Sequence, residues 1–96
     1  MPTYDQTEDF RRDYKRLTRE EKKLFRLAVA RFVQDLRTGR FRPGLRIRGV
    51  EGHPNVYEMT WAPDGRATFR YGDPVRPGEP HIIWRRIGSH DIFERP

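Results

Sequence analysis

The chain has 96 residues, with 20 lysines and arginines against 14 aspartates and glutamates, a net charge of +6. That length fits one domain with a small core, and the absence of cysteine excludes a disulfide framework, a thiolate metal site and a cysteine nucleophile. No apolar N-terminal run marks a signal peptide or a membrane span, so a cytoplasmic protein is expected. The positive balance favours polyanions or acidic proteins as partners. Although 35% of the chain is charged, 12% is aromatic and the apolar residues cluster, which argues for a folded domain rather than a disordered one.

Up to Gly39 the pattern is helical. Thr7 can cap a first helix over about residues 7–16, with Glu8 and Asp9 placed where negative charge suits the helix dipole. Phe10, Tyr14 and Leu17 share one face of it. Thr18 followed by Glu21 is a capping box that starts a second helix. Leu24, Phe25, Ala28, Val29, Phe32 and Leu36 form its apolar stripe, and Gly39 is placed to end it. The two helices read as a hairpin over about residues 7–38. Its basic outer side, from Arg11 to Arg26, is interrupted by acidic residues and reads as a solvated surface.

After Gly39 the period changes to two. Four strands are expected: 45–50, 55–62, 66–72 and 81–88. Pro63, Asp64 and Gly65 supply a hairpin turn, and the proline-rich stretch 73–80 is a loop. Alternation places Leu45, Ile47, Tyr57, Met59, Trp61, Phe69 and Tyr71 on one face, for the helices to cover. The opposite face carries Arg46, Arg48, Glu58, Thr60, Arg66, Thr68 and Arg70, with no remaining element to cover it. The run HIIWRRI does not alternate cleanly, which leaves the side of Trp84 open. The expected class is therefore α+β, a single domain over 1–96: two N-terminal helices on one face of a four-stranded, mainly antiparallel sheet spanning about residues 45–88, then a tail from 89 to 96.

From residue 40 onward every lysine or arginine position is arginine, whose planar fork grips phosphate in a way lysine cannot. A cationic face on neighbouring strands then reads either as a phosphate-binding surface or as a solvated sheet face with cross-strand pairs to Glu58. No metal ligand set is expected, because His53, His81 and His90 lie in three separate segments without HxxH spacing. No cofactor-binding loop is expected either.

The chemistry then falls to the tail, RRIGSHDIFERP. If it folds back over the sheet, His90 stands among the guanidinium groups of Arg66, Arg85 and Arg86, with the ring of Phe93 nearby. RNA cleavage needs a proton acceptor for a 2′-hydroxyl, a proton donor for the leaving 5′-oxygen, and fixed positive charge for the transition state. An aromatic ring can stack the splayed base. The plainer alternatives are a tail histidine bonded to Asp91 or to backbone, and a phenylalanine that pins the tail to the core.

The segments FRRDYKRL (10–17), YEMTWAPDGRATFRYG (57–72) and RRIGSHDIF (85–93), in this order, resemble the RelE/ParE superfamily of bacterial toxins, closest to its RelE, YoeB, YafQ and HigB-like branch. The resemblance implies a RelE-like fold, cleavage of mRNA on the ribosome, and an antitoxin partner that blocks the toxin, with no cofactor. It makes Arg66, Arg86 and His90 catalytic, and Arg46, Arg48 and Phe93 RNA-binding; the reading of the cationic face and the strand ends adds Arg70 and Arg85 as RNA-binding. Phe93 stands one residue closer to the histidine than in YafQ-like proteins, and Arg46 and Arg48 replace lysines found in some RelE proteins. A ParE-like inhibitor of DNA gyrase, or an inactive RNA- or antitoxin-binding module, shares the fold without the nuclease residues.

Overall fold

A computed structural model describes residues 2–96. Both helices form where their caps place them. The Thr7 side chain accepts from the backbone N–H of Phe10, and α1 runs Glu8–Lys15. Thr18 and Glu21 form the reciprocal capping box, and α2 runs Arg19–Thr38. Gly39 ends α2 with a φ of 75°, a left-handed conformation glycine adopts without penalty.

The sheet is mixed and has five strands rather than four. β1 (Thr3–Gln6), β2 (Arg48–Gly49), β3 (Tyr57–Thr60), β4 (Arg66–Gly72) and β5 (His81–Gly88) lie in the order β1-β5-β4-β3-β2. β1 is the strand that hydropathy missed. It pairs in parallel with β5, Thr3 opposite His81 through Gln6 opposite Trp84. Its four residues bury no apolar stripe, so it is defined by backbone pairing, which leaves no trace in a hydropathy pattern. The remaining neighbours are antiparallel.

β2 is shorter than expected. Pro43–Leu45 forms a 3₁₀ turn, and Arg46 leaves it in the left-handed region at φ 47° and ψ 48°. Leu45 is still buried, but Arg46 does not stand on the sheet face. Asp35 fixes this segment. Its carboxylate accepts from the backbone N–H of Arg42 and from that arginine's Nε and Nη2, each at 2.9 Å. Those donors hold the Asp35 carboxyl down to a pKa of about 2.

One face of the sheet is sealed by aromatic rings. Phe32 of α2 packs on Phe69 and Trp84, and Phe25 packs on Trp61 and Trp84, at centroid distances of 4.9–6.2 Å. Met59, Ala67 and Phe69 are fully buried beneath them. Leu24, expected in the stripe of α2, is exposed. A bulge settles the position of Trp84. Thr68 lies opposite Arg86 while Phe69 lies opposite Trp84, so Arg85 is an extra residue in β5. The extra residue lets both Trp84 and Ile87 point at the helices, which strict alternation forbids. Gly65 in the β3–β4 turn lies under the Trp61 ring, where a Cβ would come within 2.6 Å of it.

Candidate active site on the second face of the sheet

The second face is not open. The tail folds back over it as a 3₁₀ turn, His90–Glu94, which contacts β4 and β5. Ser89 caps the turn and Ile92 is its buried plug, seated beside Gly88. Beneath lies one row of directly opposed residues from four strands: Arg48, Glu58, Thr68 and Arg86. Thr68 and Glu58 are buried, and the Thr68 hydroxyl has no hydrogen-bond partner among the described residues. Arg48 forms an ion pair with Glu58, the cross-strand pairing that the sequence left as an alternative.

Arg86 is drawn to Asp13 of α1. Its Nε lies 2.6 Å from Asp13 Oδ2, which also accepts from the backbone N–H of Ile87. Asp13 is buried, and its hydrogen bonds to Arg86 raise the arginine's pKa. β1 ends opposite Trp84, so Thr7 and Asp13 complete the edge of β5 with side-chain bonds to Arg85 O and Ile87 N. Asp13 gave no signal in the sequence beyond being a carboxylate on the apolar side of a helix. Arg86 Nη1 also donates to Arg95 O, and Arg85 Nε and Nη2 donate to Pro96 O. Both guanidinium groups thus hold the tail down. They line a cleft of about 370 Å³ with His53 from the β2–β3 turn, which sequence reasoning had set aside.

His90 is exposed on the docked turn, and its ring meets Phe93 edge-on at 4.8 Å. Phe93 is half-buried against the histidine, while the plug is Ile92. Arg66 curls over the β3–β4 turn, where Nη1 donates to the carbonyls of Ala62, Pro63 and Gly65 at 2.9–3.3 Å. Those carbonyls hold the guanidinium without neutralising it. Arg66 and Thr60 are directly opposed, at the end of the face that adjoins a second cleft. Arg70 is half-buried on β4. The structure therefore brings the tail over Arg86 and the arginine-bearing strands, but places Arg66 and Arg86 in different clefts.

Solved structures share this fold. E. coli YafQ superposes with a TM-score of 0.65 at 11% identity, over 95% of this chain and 96% of that one. A chain of the RelB–RelE antitoxin–toxin complex from Methanococcus jannaschii gives 0.62 at 17% identity, over 94% of each. The chain has the RelE-like toxin fold. A metal-bound toxin from Helicobacter pylori gives 0.63 at 18% identity, over 95% of this chain and 97% of that one. No protein-family model and no curated protein matches the chain. Within this RelE-like fold, no helix among the described residues is long and apolar enough to cross a membrane, and no three potential metal ligands cluster.

Proposed function

We propose that the protein is the toxin of a type II toxin–antitoxin pair and cleaves mRNA on the ribosome. The observation that carries this reading is the docked tail. The Ile92 plug holds the His90–Phe93 ring pair over strands whose surface charge is arginine, within a fold shared with YafQ and RelE.

In this reading a 2′-hydroxyl attacks the adjacent phosphorus. The O2′–P bond forms as the P–O5′ bond breaks. One proton leaves the 2′-hydroxyl for a base and another reaches the departing 5′-oxygen, giving a 2′,3′-cyclic phosphate and a 5′-hydroxyl end. His90, exposed and freely reached, serves as the acid or the base. Arg66, held by carbonyls, brings its full charge to the transition state. Arg86 adds charge, partly balanced by Asp13, and fixes the tail that carries His90. Arg48, Arg70 and Arg85 bind the strand, and Phe93 offers a ring for a base to stack on.

The antitoxin partner is inferred from the solved relatives, several of which are toxin–antitoxin complexes. An acidic, partly disordered segment suits the basic surface, its ordering cost offset by charge complementarity.

The test is incubation of the protein with mRNA-programmed ribosomes, with free RNA and a gyrase supercoiling assay in parallel. Ribosome-dependent cuts with 5′-hydroxyl ends are expected, and Arg66→Ala should slow them by about a hundredfold to a thousandfold. No cleavage, together with loss of gyrase activity, would replace this reading with the ParE-like one.

A further inference from the structure

Asp13 is a buried carboxylate of α1 that takes no part in the bond-making steps above. Both of its oxygens are committed to β5. Oδ2 accepts from Arg86 Nε at 2.6 Å and from the Ile87 N–H at 3.1 Å, and Oδ1 accepts from Arg86 Nη2 at 3.2 Å. The guanidinium thus spends one two-pronged edge on a carboxylate, the geometry that would otherwise grip a phosphate. Its remaining nitrogen, Nη1, donates to Arg95 O in the tail at 3.1 Å. Arg86 therefore spans the distance from α1 to the tail.

The other end of this bridge is firmly anchored. Residues 3–13 close the edge of β5 from His81 to Ile87. β1 pairs with it, Thr3 Oγ1 bonds His81 Nδ1 at 2.7 Å, the Thr7 hydroxyl donates to Arg85 O at 2.8 Å, and Asp13 accepts from the Ile87 N–H. The tail turn, His90–Glu94, is five residues long. A turn that short has little stability of its own, so the place of His90 depends on what holds the turn.

We propose that Asp13 is a positioning residue for RNA cleavage: through Arg86 it seats the His90–Glu94 turn, and with it His90, over the sheet. The proposal rests on the nuclease reading for its effect on rate, but not for its effect on the tail. Simple electrostatics makes the opposite prediction. A carboxylate beside a phosphate-binding surface repels the substrate, so its removal by charge alone should strengthen binding. If Asp13 positions the tail, its removal slows the chemical step even though the surface becomes more positive.

The test compares wild type with Asp13→Asn in single-turnover cleavage on programmed ribosomes and in amide hydrogen exchange at Ile92 and Arg95, whose N–H groups close the tail turn on Ser89 O and Ile92 O. The maximal rate should fall about tenfold to a hundredfold, as for a misplaced reacting group. The ribosome concentration giving half that rate should stay the same or fall, and the two tail amides should exchange faster. In a His90→Gln background Asp13→Asn should slow cleavage no further, whereas in an Arg66→Ala background it should keep its full effect, because Arg66 lies in a different cleft. Asp9→Asn, which removes the same charge from an exposed position on α1, should cut like wild type. Arg86→Lys preserves the buried charge pair and serves if Asp13→Asn folds poorly. Its single ammonium cannot hold Asp13 and Arg95 O as the fork does, so it should show the same loss of rate and of tail protection. An Asp13→Asn protein that cuts as fast as wild type or faster would overturn the proposal, as would a further loss of rate in the His90→Gln background. If the wild-type protein cuts no mRNA, the nuclease reading falls and tail exchange alone decides: faster exchange in Asp13→Asn keeps Asp13 as the anchor of the tail, and unchanged exchange removes it.

Discussion

The two faces of the sheet are closed by different physics. The helix-covered face is dry and aromatic. Phe25, Phe32, Phe69 and Trp84 fill it; period marked the three phenylalanines, and a bulge explains Trp84, whose side the sequence left open. The tail-covered face buries Glu58 and Thr68, is plugged by Ile92, and relies on guanidinium groups to hold backbone carbonyls and carboxylates. Non-directional burial stabilises the first face, whereas the second depends on particular donors and acceptors.

Truncating the aromatic side should have the largest effect on stability. Phe32→Ala removes a ring that touches Phe41, Phe69 and Trp84 and should cost about 3–5 kcal/mol in denaturant unfolding. A cost below about 1 kcal/mol would break the distinction between the faces. Asp13→Ala comes next. It strips the acceptor from Arg86 and from the Ile87 N–H, and should cost about 2–3 kcal/mol. Paired with Arg86→Ala in a double-mutant cycle, it should show coupling of about 1 kcal/mol or more, and strict additivity would contradict the pairing.

Acid should discriminate more finely. The Asp35 carboxyl is held at about 2 in the folded protein, against 3.8 ordinarily, so its stabilising contribution is intact above about pH 4. That contribution is lost as pH falls through 2. Asp35→Asn should lower the melting temperature at neutral pH and shrink its dependence on pH between 4 and 2. An unchanged acid profile would remove Asp35 as the anchor of the 3₁₀ segment. The smallest effect belongs to Thr68→Val. Its hydroxyl is buried without a partner, so the change should be neutral or stabilising by up to about 1 kcal/mol. A clear loss would mean the hydroxyl is bonded in solution.

These contrasts also explain what could be read from the sequence. Thr7, the Thr18–Glu21 box and Gly39 set the helices by local chemistry, and alternation from Tyr57 to Tyr71 set the central strands. β1 was invisible because its parallel pairing with β5 is made by backbone atoms and one side-chain bond, Thr3 to His81, neither of which shows in a hydropathy pattern. The retreat of Arg46 from the sheet follows from the Asp35–Arg42 anchor, a long-range choice that period-two reading cannot see. At the site, the folding back of the tail entered only as a condition, and the face it covers was read as open. The ties of Arg85 and Arg86 to the tail, and of Arg86 to Asp13, 73 residues away in sequence, were not legible.

The most direct test of the central claim is the single-turnover rate of mRNA cleavage in programmed ribosomes by wild-type protein and by His90→Gln. The account predicts a rate lower by about a hundredfold or more, as for loss of a general acid or base, with ribosome binding retained and the melting temperature unchanged. A His90→Gln protein that cuts as fast as wild type would contradict it, and would leave the docked turn a structural cover for the sheet.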